Sequence, residues 1–152
     1  MSYSAADVKK LREETGAGIM DCKKALEEAK GDFKKAIELV KVRGLERAEK
    51  KQDRETTEGY VASYVHSNGK LASLVELVCE TDFVARNDEF RSLGQNIAMQ
   101  VVSMQPETVE ELLEQEFIKD GSVTIGLLIK ALTGKVGEKI AVKRFVRYQV
   151  GE

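Results

Sequence analysis

Residues 60–79 read YVASYVHSNGKLASLVELVC, and this stretch decides the fold. Its first part, through His66, is β-branched and aromatic, and so is much of Leu71–Cys79. Between them stands Asn68-Gly69. A two-residue turn of that type needs positive φ at both central positions, which Asn and Gly tolerate, so the stretch predicts a β-hairpin. The second run is apolar on both faces, as expected of a strand central in its sheet. Further on, Phe90, Leu93, Ile97, Val101 and Met104 recur at three- and four-residue steps. That is the stripe of an amphipathic helix, which Pro106 stops. Residues 107–116 read as a short acidic helical piece, Phe117-Ile118 as a brief strand and residues 119–122 as a turn. Thr124 caps a helix with Ile125, Leu128 and Leu132 inward and Gly134 past its end. Residues 139–150 keep strand alternation through Ile140, Val142, Val146, Tyr148 and Val150. The sum is an α+β core over residues 58–152: a small antiparallel sheet of three or four strands with helices on one face.

Upstream of residue 58 the period is helical. Ser4 and Asp7 resemble a capping box, and Val8 and Leu11 share a face. Residues 15–18, Thr-Gly-Ala-Gly, break that helix. A second helix begins near Ile19 or Met20 and carries Cys22, Ala25, Leu26 and Ala29. Gly31 ends it, and Asp32 caps a third with Phe33, Ala36, Ile37 and Val40. Helices this short must bury their stripes against each other, which predicts a three-helix module over residues 1–43 that breaks at Arg43-Gly44. Residues 44–57 mix both charges among helix formers and predict a solvated linker helix.

Composition narrows the function. Lys and Arg number 24 and Asp and Glu 26, a formal net charge of −2, so the global positive field of a dedicated nucleic-acid binder is missing. No apolar run is long enough to span a bilayer, and the first residues lack a basic stretch followed by an apolar one, so neither membrane insertion nor export is expected. Two distant cysteines, Cys22 and Cys79, make no metal knuckle, and reduced, buried thiols are expected. A single His66, with no nucleophile elbow, leaves little for catalysis, and no cofactor or metal site is expected. Gly16 and Gly18 would open a dinucleotide fingerprint whose third glycine falls on Asp21, so a helix-helix turn is the better reading. Lys139, Lys143, Arg144 and Arg147 form a weak basic stripe, read as a solvated sheet face. Thr81-Asp82-Phe83-Val84 follows a central strand and precedes a helix. From the residues alone, Phe83 reads first as filler at the edge of the core. The alternative is a ring beside a carboxylate, offered to a partner.

Three separated stretches carry a family resemblance. Residues 10–26, KLREETGAGIMDCKKAL, residues 80–87, ETDFVARN, and the ending from Val136-Gly137-Glu138-Lys139-Ile140 to Val150-Gly151 closely resemble bacterial translation elongation factor Ts. The resemblance implies a ubiquitin-associated-like N-terminal module, a linker helix and an α+β core. It implies a cytoplasmic guanine-nucleotide exchange factor that is not itself an enzyme. Its partner would be elongation factor Tu, in the GDP and nucleotide-free forms, with no direct nucleic-acid contact. Thr81, Asp82, Phe83 and Val84 would enter the GTPase beside its magnesium site, Asp82 disturbing the magnesium-water network and Phe83 wedging between two helices. Leu11, Arg12, Ile19, Met20 and Lys23, and with them Lys51, would contact the GTPase domain, and the hairpin tip with His66 would touch the partner's third domain. Family members usually carry a longer helical insertion where residues 106–117 form a short connection here. A homodimer is expected, because helices cover one face of the sheet and leave the other to apolar positions such as Val142 and Tyr148. The competing readings are an RNA- or ribosome-binding module without exchange activity, and a hydrolase built on His66.

Overall fold

The computed structural model describes residues 2–152, so residue 1 of the expected N-terminal module lies outside the described residues. The first helix, α1 (Ala5–Thr15), starts at a capping box in which Ser4 accepts from the Asp7 N–H and Asp7 accepts from the Ser4 N–H, and it ends at Gly16 with φ 71°. Gly18 then caps α2 (Ile19–Glu28), so both glycines serve the helix-helix turn. Asp32 caps α3, which spans Phe33–Lys50 without interruption. Leu11, Cys22, Ala25, Leu26, Ala36 and Val40 bury their stripes in one cluster.

The break expected at Arg43-Gly44 is absent. Gly44 is instead where α3 is crossed by α7 (Ile125–Val136), which follows the elements of the core described below. A Cβ at Gly134 would lie 2.8 Å from the Gly44 Cα and closer still to its carbonyl. A glycine inside a helical pattern marks either a stop or a close approach, and here it is the approach. The first half of the expected linker helix, through Lys50, is therefore the last turns of α3, and residues 51–57 leave it as turn and extended chain rather than helix. It is not wholly solvated either: Ala48 is buried and Arg47 reaches back to Asp21 at 2.9 Å.

The core begins with β1 (Glu58–Val65) and β2 (Leu71–Cys79), paired antiparallel across residues 66–70. The hairpin is as expected, but of Asn68 and Gly69 only Gly69 takes positive φ (70°), its N–H donating to the His66 carbonyl at 2.8 Å, so the two-residue turn with positive φ at both positions is not formed. A four-residue helix, α4 (Asp82–Ala85), leads to α5 (Asp88–Met104), whose Phe90, Leu93, Ile97 and Val101 are buried on the sheet; Met104, at its end, is exposed. The short connection holds α6 (Val109–Glu114) and a two-stranded hairpin, β3 (Glu116–Phe117) with β4 (Asp120–Thr124). The fully buried Gln100 ties that hairpin down, donating to the Glu116 carbonyl at 2.9 Å and accepting from the Ile118 N–H at 2.9 Å. Thr124 caps α7, which continues past Gly134 and ends at Gly137, φ 79°. The last strand, β5 (Ala141–Gln149), completes a three-stranded sheet in the order β1-β2-β5, with β2 central as its composition predicts.

One register step departs from simple alternation. Glu76 pairs with Arg144 but Leu77 with Val142, so Lys143 bulges and the parity of β5 switches. Val142 thereby turns into the core and is buried, instead of joining Tyr148 on the outer face. Arg147 likewise turns inward and donates to the Val102 carbonyl at 3.2 Å, while Arg144 pairs with Glu76 at 2.7 Å. The basic stripe read from the sequence is thus split between two faces. Both cysteines are free and buried. Among the described residues, no helix is long and apolar enough to cross a membrane.

Candidate partner-binding surface

Thr81, Asp82, Phe83 and Val84 build α4 and its cap. The Thr81 Oγ1 accepts from the Val84 N–H at 3.3 Å, and Asp82 in the first turn pairs with Arg86 one turn on at 2.6 Å. Val84 and Ala85 are buried in the core and anchor the segment. Phe83, between Asp82 and Val84, is 84% exposed. That overturns the reading of Phe83 as core filler. An aromatic ring held outward by buried neighbours costs solvation unless a partner covers it. Val84 is a correction in the other direction: its side chain belongs to the interior and is not free to touch a partner.

Just ahead of this helix, the Cys79 thiol donates to the Thr81 carbonyl at 3.2 Å. Burial, and then the neighbouring Glu138 carboxylate, push its pKa up to about 11. It is a neutral, packed group, not a nucleophile. Glu138, in the loop after α7, faces Glu80 and Thr81 and accepts hydrogen bonds from both. Sequence reasoning missed it as a site residue, because its partners lie almost sixty positions away and nothing local marks the contact.

In the N-terminal module the structure sorts the expected contacts. Arg12, Ile19 and Lys23 line one groove with Tyr3, Val8 and Lys9, about 490 Å³ in volume. Ile19 and Met20 are 57% and 59% exposed at the start of α2, where the Gly18 cap places two apolar side chains in solvent. Leu11 is different: it is fully buried in the module's own core, so the expectation that it is exposed to a partner fails. It shares that buried cluster with Cys22 and Leu26, from the same helix-packing stripes that predicted the module. Lys51 is the C-cap of α3 and is half-buried. His66 is exposed at the hairpin and its Nδ1 lies 3.1 Å from the Tyr64 hydroxyl. The structure therefore groups Arg12, Ile19 and Lys23, puts Asp82 and Phe83 on a separate helix, and takes Leu11 and Val84 out of the surface. Among the described residues, no cluster of three or more His, Cys, Asp or Glu could hold a metal ion.

The fold defines an α+β protein with an N-terminal helical module, on whose surface Ile19, Met20 and Phe83 stand exposed. The family model described as "Elongation factor TS" matches residues 80–152. Over its whole length the chain is 45% identical to "Elongation factor Ts" of Fervidobacterium nodosum, covering all of both chains in an alignment of 197 positions. It is 42% identical to that of Thermotoga neapolitana, covering 100% of this chain and 99% of the relative. To that of Desulforamulus reducens it is 42% identical, over 98% of this chain and 89% of the relative. The chain belongs to the elongation factor Ts family, a family of translation elongation factors. The alignments are longer than the 152 residues of this chain, so the relatives carry a few tens of residues with no counterpart here.

Proposed function

We propose that this chain is a guanine-nucleotide exchange factor for elongation factor Tu in the cytoplasm, binding its GDP and nucleotide-free forms. It acts without catalytic groups of its own. The observation that carries the reading is the Phe83 ring, 84% exposed on a capped helix whose next two residues are buried. A ring so held enters a partner's pocket without first giving up side-chain packing of its own. Asp82, beside it, brings a carboxylate to the partner's magnesium site. Arg12, Ile19, Met20, Lys23 and Lys51 supply a second contact on the GTPase domain, and His66 at the hairpin tip supplies a third. Leu11 and Val84 support these contacts from the interior.

Exchange of this kind is coupling between two bound species: whatever factor binding weakens GDP by, GDP weakens binding of the factor by the same amount. A hundredfold coupling asks for about 2.7 kcal/mol, within reach of one buried aromatic and a displaced ion contact. The test is release of labelled GDP from elongation factor Tu in the presence of the chain. Release no faster than the spontaneous rate rejects the reading.

The working units follow from the same reading: residues 1–43 as the N-terminal module, 44–57 as the end of α3 and its exit, and 58–152 as the core. The outer face of the sheet pairs two copies as a homodimer. Its rows run Val61, Glu76, Arg144; then Ser63, Leu74, Val146; then Val65, Ala72, Tyr148. Val61, Val65, Leu74, Val146 and Tyr148 are exposed there, an apolar surface bordered by Ser63 and the Glu76–Arg144 ion pair on a three-stranded sheet. Light scattering at micromolar concentration checks it, and a mass near 16.9 kDa that does not change with concentration rejects it.

A further inference from the structure

The α4 segment is held by a side chain from the far end of the core. Both oxygens of the Glu138 carboxylate are occupied. Oε1 accepts from the Thr81 N–H at 2.9 Å and from the Glu80 N–H at 3.2 Å. Oε2 accepts the Thr81 hydroxyl at 2.7 Å. The grip is returned: the Glu80 carboxylate accepts from the Lys139 N–H at 2.9 Å, and Arg54 reaches the same carboxylate at 3.4 Å.

The hydroxyl is the informative part. Thr81 Oγ1 must also accept from the Val84 N–H to cap α4. A hydroxyl has one proton and two lone pairs. Giving its proton to Glu138 turns a lone pair toward Val84, so the carboxylate fixes the rotor that makes the cap. Asp82 and Phe83 lie between the capping residue and the capped amide. Where the ring points therefore depends on a residue with which it makes no hydrogen bond.

We propose that Glu138 is a positioning residue for nucleotide exchange: it clamps Thr81 and so fixes the direction in which α4 presents Phe83. This rests on the exchange reading above. Charge-assisted hydrogen bonds are about twice as strong as neutral ones, and Glu138 is half-buried, so solvent replaces it poorly.

Two measurements on the full chain test it. In the first, backbone hydrogen exchange is compared between the wild type and Glu138→Ala. The Glu80, Thr81 and Val84 amides are expected to exchange about tenfold faster or more, with the β2 amides unchanged. Unchanged rates at all three overturn the clamp. In the second, GDP release from elongation factor Tu is expected to slow about tenfold with Glu138→Ala. It should slow no further when Glu138→Ala is added to Phe83→Ala, because the clamp acts through the ring. A wild-type release rate, or full additivity with Phe83→Ala, overturns the positioning role. If Glu138→Ala also strips protection from β2, Glu138→Gln is read instead. Its amide oxygen still takes the backbone donors, but the Thr81 proton loses its acceptor, so an intermediate release rate is expected and a wild-type rate rejects the proposal. A wild-type chain inert toward GDP release rejects the exchange reading alone, since hydrogen exchange still decides the clamp.

Discussion

Phe83 and Phe90 stand seven residues apart and meet opposite fates. Phe90 is completely buried on α5, while Phe83 is 84% exposed on α4. The side chain is the same, so the difference lies in what each helix is for. α5 is 17 residues long and repeats its apolar stripe on the sheet, so every turn adds burial. α4 has four residues, and its apolar contribution comes from Val84 and Ala85 alone. Its conformation is set by its ends: the Thr81 cap on one side and the Asn87 cap of α5 on the other. A short segment fixed at both ends can hold a hydrophobic ring in water, where a longer amphipathic helix would rotate it inward.

The sharpest way to break that comparison is to truncate the buried ring. Phe90→Ala removes a fully buried aromatic from the core cluster and is expected to cost about 3–5 kcal/mol, read as a lowered midpoint in urea unfolding. A cost below about 1 kcal/mol would mean that the stripe on α5 does not carry the core.

The next test concerns how the N-terminal module is joined to that core. Gly134→Ala would drive its Cβ into the Gly44 backbone, which cannot turn aside as a flexible side chain can. The helices must separate, at an expected cost of about 1–3 kcal/mol. Gly44→Ala is the control, because a Cβ there meets nothing within 4 Å. Alanine is the better helix former, so Gly44→Ala should lose nothing, and equal losses in the two variants would show that the close crossing at Gly134 is not what resists the added methyl.

Cys79 sharpens the inner side of the same boundary. Its thiol titrates near 11 in the folded chain against an ordinary value of 9.0. Between those values the folded state keeps a proton that the unfolded chain gives up, so folding binds more protons and stability falls as pH rises. The contribution is complete below pH 9 and lost by about pH 11, on the order of 2 kcal/mol. Unfolding in denaturant at pH 8, 9.5 and 11 is expected to show this slope in the wild type and a flatter one in Cys79→Ala. Identical slopes would place the thiol in contact with water.

What was legible in the sequence was local. The Asn68-Gly69 hairpin, the central β2, the stripe of α5 and the caps at Ser4, Asp32 and Thr124 each depend on neighbours within a few residues. What was not legible needed a second element. Gly44 looks like a stop until α7 is laid across it. Val142 looks like an outer-face residue until the bulge at Lys143 switches the strand's parity. The surface suffered similarly. A resemblance marks the segments that hold Leu11 and Val84, but only packing says that those two face inward while Ile19, Met20 and Phe83 face out. Glu138 sits in one of the resembling segments, and its role appears only when residues 80 and 81 come within hydrogen-bond distance.

The smallest expected change in stability is at the residue on which the proposed function rests. Phe83→Ala removes a ring that is already in water, so unfolding should move by less than about 0.5 kcal/mol. The buried Val84 and Ala85, and the Thr81 cap, remain to hold α4 in place. If the ring enters the GTPase, however, the same change should slow GDP release tenfold or more, because an aromatic anchor at the centre of an interface is worth about 2 kcal/mol or more. The two readouts must therefore part company: unfolding nearly unmoved, release sharply slowed. A stability loss near that of Phe90→Ala would mean that the ring packs inward in solution. A release rate equal to the wild type, with stability intact, would leave the exposed ring without a role in exchange and shift the contact to Arg12, Ile19, Met20 and Lys23 in the N-terminal module.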